Sequence, residues 1–166
     1  IQAIFKDDKK LQEDLLIPLP TSWVAVRTKC REEMQIGNKS IDFSTFADWC
    51  EVAGVRKSAA SILRFLHNTG VVFYKEKYFH QQIILNQAWA IEAIYKILDR
   101  DSHYFEILEH QEGILDYEDL CEIWPQNSDS ERELFIDFML SCEFCFEITK
   151  KKELNTLLSK RSFFVT

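Results

Sequence analysis

The chain has 166 residues, enough for one compact domain or two small ones with a real hydrophobic core. It is 46% apolar and 13% aromatic, with thirteen Phe and four Trp against four Gly and three Pro, which excludes disorder for most of its length. Twenty Lys and Arg against 27 Asp and Glu leave a net charge of −7, so a phosphate backbone is disfavoured as the main partner.

Taken in order, residues 2–16 carry Ile4, Leu11 and Leu15 between charged residues, which predicts a lead-in helix stopped by Pro18 and Pro20. Thr21 or Ser22 can cap the next helix, with the apolar face Trp23, Val26, Cys30 and Met34 and a stop at Gly37-Asn38. An internal repeat follows. Ile41-Asp42-Phe43-Ser44-Thr45-Phe46 and then Trp49-Cys50 read like Leu115-Asp116-Tyr117-Glu118-Asp119-Leu120 and then Ile123-Trp124. In each copy a short extended piece meets an Asp able to cap a helix. The apolar faces Phe43, Phe46, Cys50, Ala53 and Tyr117, Leu120, Trp124 follow at helical spacing.

Turns at Gly54 and at Pro125-Gln126-Asn127 lead to second helices. Ile62, Leu63, Phe65 and Leu66 in the first copy match Phe135, Ile136, Phe138 and Met139 in the second, with the register slipped by one residue. Ser130 to Glu133 has the spacing of a capping box. Further turns run into strands at Val71-Val72-Phe73-Tyr74 and Phe144-Cys145-Phe146-Glu147, with partner strands at Ile83-Ile84-Leu85 and Phe163-Phe164-Val165.

Strand, helix, turn, helix and two-stranded wing is the winged-helix form of helix-turn-helix. The expected class is therefore α+β, mainly helical, with two tandem winged-helix-like units joined by a central apolar helix. The lead-in helices occupy 1–38, the first unit with the central helix 39–99, and the second unit 100–166. That central helix, Gln87 to Leu98, leaves only a thin polar stripe around Glu92 and Lys96, which predicts packing on both of its sides.

Catalytic and metal chemistry find little support. Gly37, Gly54, Gly70 and Gly113 stand too far apart for a phosphate-cradling loop, and Gly37-Asn38-Lys39-Ser40 lacks the upstream glycine and Gly-Lys junction of a P-loop. Cys142-x-x-Cys145, with Cys121 nearby, lacks a fourth zinc ligand. His67, His80, His103 and His110 form no ligand pair, although His103 or His110 can meet Glu106 on a helix. No Gly-x-Ser-x-Gly element is present. The expectation is a non-enzyme without cofactor or metal, with five free thiols in a reducing, cytoplasmic setting and no membrane span. The second helix of the first unit offers Arg56, Lys57 and Arg64, whereas that of the second offers Glu131, Glu133 and Asp137 against Arg132, so protein binding fits better than nucleic acid.

Ile83, Ile84 and Leu85 alternate across a strand, so one side of it is expected to be spare. With the greasy helix around Trp89 and a rim of Lys75, Lys77, Glu92 and Lys96, this predicts an exposed docking patch.

Leu63-Arg64-Phe65-Leu66-His67-Asn68-Thr69-Gly70-Val71-Val72 and Ile84-Leu85-Asn86-Gln87-Ala88-Trp89-Ala90-Ile91-Glu92-Ala93-Ile94-Tyr95 resemble two signatures of the COR domain, which follows the Ras-like Roc GTPase domain in Roco proteins. Leu19-Pro20-Thr21-Ser22-Trp23 is similar to the start of COR, and Phe135 to Glu147 to a later segment, so the likeness covers about residues 15–150. Asn86-Gln87-Ala88-Trp89 departs from the family, which usually carries Pro before the residue preceding Trp. The resemblance implies the N-terminal half of COR, a non-catalytic body that packs on Roc and couples its nucleotide state to the rest of the chain. It also implies that GTP and Mg belong to Roc and that Roco dimerisation runs through the other half of COR. Ile83, Leu85 and Trp89 are the residues it would turn toward Roc. An independent winged-helix module for nucleic acid, and the winged-helix part of a STAND-type signalling ATPase, are the alternatives.

Overall fold

A computed structural model describes residues 19–79, 81–148 and 161–165; the expected lead-in helix over 2–16, and His80, lie outside the described residues. Helix α1 spans Thr21–Gln35 and buries Val26 and Cys30. Pro20 occupies its N-cap position and no side chain caps it, so neither Thr21 nor Ser22 plays the expected role; both already belong to the first turn. Strand β1 (Ser40–Asp42), helix α2 (Phe43–Val52), a short 3₁₀ turn (Arg56–Ser58) and helix α3 (Ala59–Asn68) follow, and strand β2 (Gln82–Ile84) returns to pair antiparallel with β1, Ile41 opposite Ile83. Of the strand expected at 71–74, only Phe73 pairs. It exchanges two backbone hydrogen bonds with Ile84, at 2.8 and 2.9 Å.

Helix α4 (Gln87–Leu98) begins where the sequence predicts. Asn86 stands at its N-cap and accepts from the Trp89 amide at 3.1 Å, which supplies by side-chain capping the start that Pro would favour by its fixed φ. Helix α5 (His103–His110), capped by Ser102, then leads to strand β3 (Ile114–Asp116). Helix α6 (Tyr117–Ile123) opens on a full capping box between Asp116 and Asp119. Helix α7 (Asp129–Ser141) also opens on a capping box, but it is Ser128 with Glu131, two residues before the expected pair. Glu133 is drawn instead to Arg161, at 2.6 Å. Strands β4 (Cys145–Ile148) and β5 (Ser162–Val165) complete an antiparallel sheet of order β3-β5-β4. Arg161 holds Glu133 and Glu147 together at the start of β5.

The fold is thus α+β and mainly helical, with two small sheets and two hydrophobic cores among the described residues. One core gathers Val26, Cys30, Phe46, Cys50, Ile62, Leu63, Leu66, Val72, Ile83 and Leu85. The other gathers Ile84, the inner residues of α4, Leu115, Leu120, Trp124, Phe135, Phe138 and Phe163. Phe73 reaches across into the second core, its ring 4.4 Å from Phe138. The Trp124 indole donates to the carbonyl of Ala93 at 2.9 Å, which satisfies a buried donor and ties α6 to α4.

The central helix does not pack on both sides as its composition suggests. Ala90, Ala93, Ile94 and Ile97 form one stripe at helical spacing and all lie in the second core, while Ile91 and Tyr95 on the other face stay exposed at 40% and 64%.

Gly113 shows how tightly the second sheet closes. Its φ is +83°, its carbonyl accepts from the Val165 amide at 2.8 Å, and a Cβ there would sit 3.1 Å from the Phe164 ring and 3.2 Å from the Val165 carbonyl. Gly113→Ala is expected to cost roughly 1–3 kcal/mol through left-handed strain plus this contact, read as a lower urea midpoint at unchanged slope.

Candidate functional site

The side chains able to do chemistry are dispersed. Cys30, Cys50 and Cys145 are buried, and burial pushes their thiols up to about 12, 11 and 12, so they resist ionisation. Cys142 sits at the C-terminal end of α7 while Cys145 points into the core from β4. His103 meets Glu106 at 3.5 Å on the exposed side of α5. Among the described residues no three His, Cys, Asp or Glu gather as a metal would require, and no helix is long and apolar enough to cross a membrane.

The three residues expected at a docking patch fall in different places. Ile83 is fully buried and Leu85 is 2% exposed, both in the first core, whereas Ile84 is fully buried in the second. The alternation expected of the strand is present, but its second face is covered by the second core, so no side of it is spare. That corrects the exposure assigned to Ile83 and Leu85. Trp89 is half-buried, its ring 4.6 Å from Phe135 in the second core.

An open apolar surface does exist, one helical face further round. Met34 from the end of α1, Val71, Leu85 and Ala88 line a shallow groove of about 540 Å³ with Arg31 and Gln87 at its edges. Leu85 is its floor. Ala88 continues along α4 to Ile91 and Tyr95 at i+3 and i+7, so groove and helix face form one strip. The signal was present in the sequence: once Ala90, Ala93, Ile94 and Ile97 are assigned inward, Ile91 and Tyr95 have no core left to enter.

The strip is fixed to the rest of the molecule by Lys39. Its ammonium lies 4.9 Å over the Trp89 ring and 3.0 Å from Glu131, and so links β1, α4 and the start of α7. Burial disfavours the charge on Glu131. The Lys39 ammonium, the Ser128 backbone N–H and the Asn127 amide outweigh it and hold the carboxyl below the usual carboxylate range.

These features define a mainly helical α+β module with an open apolar strip and dispersed polar chemistry. Its sequence matches the family model described as "C-terminal of Roc, COR-A domain" over residues 20–161. The chain belongs to that family and is a COR domain of the Roco type. It is also 27% identical over 151 residues to a Roc-COR-CHAT protease of Runella zeae; the match covers 88% of this chain and 16% of that protein's length.

Two outcomes are expected. Ile83→Ala should lose about 2–5 kcal/mol of unfolding free energy, against less than about 0.5 for Ile91→Ala, as measured by urea titration. A carboxyl whose pKa is lowered by folding stabilises above its unfolded value and loses that contribution as pH falls through the folded value. Glu131→Gln should therefore lower the melting temperature at pH 7, and its difference from the parent should close as acid titrates the carboxyl through its lowered folded value.

Proposed function

We propose that this chain is a non-catalytic regulatory body that packs on the Roc GTPase domain of a Roco protein and couples the nucleotide state of Roc to the rest of the polypeptide. The observation that carries the reading is the family match over residues 20–161, since COR-A is defined by its position C-terminal of Roc. GTP and Mg then belong to Roc, and dimerisation to the other half of COR, in a cytoplasmic protein. The relative's name, Roc-COR-CHAT protease, supports an arrangement in which a COR segment lies between a GTPase and an effector.

The order β1, α2, α3, β2 in the first half and β3, α6, α7, β4, β5 in the second supports two tandem winged-helix-like units. Phe73 stands beside β2 as β4 stands beside β5. The Roc-facing surface is the strip from Met34 and Leu85 through Ala88 to Ile91 and Tyr95, with the half-buried Trp89 beside it. Contact energy favours it because an apolar patch with charged edges at Arg31, Glu92 and Lys96 gains by desolvation and is oriented by its rim. Coupling follows from stiffness. Displacement of α4 moves the second core through its buried stripe and the first core through β2, which immediately precedes it.

The test is Ile91→Asp with Tyr95→Glu in the full-length protein, scored by association of Roc with COR and by GTP turnover, beside the melting temperature of the 166-residue chain. Affinity is expected to fall about tenfold or more and turnover to change, with the melting temperature nearly constant. Unchanged affinity and turnover would reject the surface.

A further inference from the structure

A second concavity lies on a different side of the first unit. A cleft of about 510 Å³ opens between α3 on one side and Tyr74 to Lys77 with Gln81 on the other, within the size range of ligand sites. Leu63 forms its floor, and Phe43 and Tyr74, stacked 6.4 Å apart, form one wall. Arg64 enters from α3, and Lys75 and Lys77 from the opposite segment, against Glu76 as the acidic residue of the lining. Positive charge is concentrated here in a chain whose net charge is −7.

The three cations are not equivalent. The Lys75 ammonium donates to the Ser141 carbonyl at 2.7 Å and is thereby fixed to the end of α7. Arg64 and Lys77 have no ion pair among the described residues, although both are exposed in a protein rich in carboxylates. Gln81, also in the lining, is held at φ +70°, a left-handed conformation uncommon for a non-glycine residue, and its carbonyl accepts from the Phe43 amide at 2.7 Å. Backbone strain of this kind concentrates at ligand clamps.

We propose that this cleft captures an acidic peptide segment of a partner protein. An apolar side chain of the segment rests on Leu63 beside Phe43 and Tyr74, and flanking carboxylates meet Arg64 and Lys77. Charge complementarity selects the acid, and the apolar floor selects a side chain over a bare anion. Nucleic acid fits less well. Arg56, in the 3₁₀ turn before α3, is already engaged by Glu51 and Asp48 and adds little to a track for a phosphate backbone. The site is distinct from the strip on α4 and does not rest on the docking of Roc.

The experiment is fluorescence anisotropy of the 166-residue chain with a labelled dodecapeptide of alternating Glu and Asp around a central Phe. A second peptide carries Gly in place of that Phe, and a labelled DNA duplex serves as the competing class. Saturable, salt-sensitive binding of the first peptide is expected. It should weaken about tenfold or more in the Arg64→Glu, Lys77→Glu double variant, weaken with the Gly peptide, and change little in Lys57→Glu, which alters the same charge outside the cleft. Absence of saturable binding would overturn the proposal. So would equal binding by the double variant, or tighter binding of the duplex through Arg64 and Lys77. Folding of each variant is checked by its melting temperature, which these exposed substitutions should leave near the parent's.

Discussion

Three consecutive residues hold the molecule together. Ile83 and Leu85 enter the first core and Ile84 enters the second, so one strand is covered on both faces by different halves of the chain. Each fully buried side chain of this size contributes roughly 1.5–3 kcal/mol of burial, and here the contributions are not separable by unit, because moving the strand to improve one core opens the other. The neighbouring interactions reinforce the same junction. Phe73 pairs with Ile84 and packs on Phe138, Lys75 reaches the end of α7, and Lys39 spans from β1 to Trp89 and Glu131. Helix α4 leaves this junction directly, with Asn86 as its cap, so its orientation is set by both cores at once.

The open strip on α4 follows from that arrangement. A helix that must serve the second core presents only one stripe to it, and the first core is already filled by β2. Ile91 and Tyr95 are left over as a consequence of how the helix is used. The basic cleft has a different origin. It forms where Tyr74 to Lys77 face α3, and its charge comes chiefly from Arg64 on α3 and Lys77 on the facing segment, exposed side chains that neither core uses.

Local chemistry was readable before the fold. The bounds of α4, the helix after Pro20, and the strands around Ile83 and Phe163 all follow from periodicity and stop signals that act within a few residues. The capping box was displaced because two overlapping pairs, Ser128 with Glu131 and Ser130 with Glu133, satisfy the same spacing. Distant partners accompany the outcome, since Arg161 pairs with Glu133 while Lys39 pairs with Glu131. Helix α5 gave a weaker signal, being short, with a single buried side chain, Leu108. The placement of Ile83 and Leu85 required more than alternation could give. Alternation says that two faces exist, whereas the identity of whatever covers the second face depends on contacts between residues far apart in the chain. COR-A membership was legible because its signatures lie around α3 and α4, at the junction where the two cores constrain side chains most.

The doubly covered strand also bears on how the sequence can change length. Pairing of Ile41 with Ile83 fixes the strand against β1, so adding or removing one residue between Gln82 and Leu85 would exchange the contents of the two cores. Point substitutions among Ile, Val and Leu leave that assignment intact. Insertions and deletions in related chains should therefore gather in the connections on either side, and this short stretch should keep its length even where its residues have drifted.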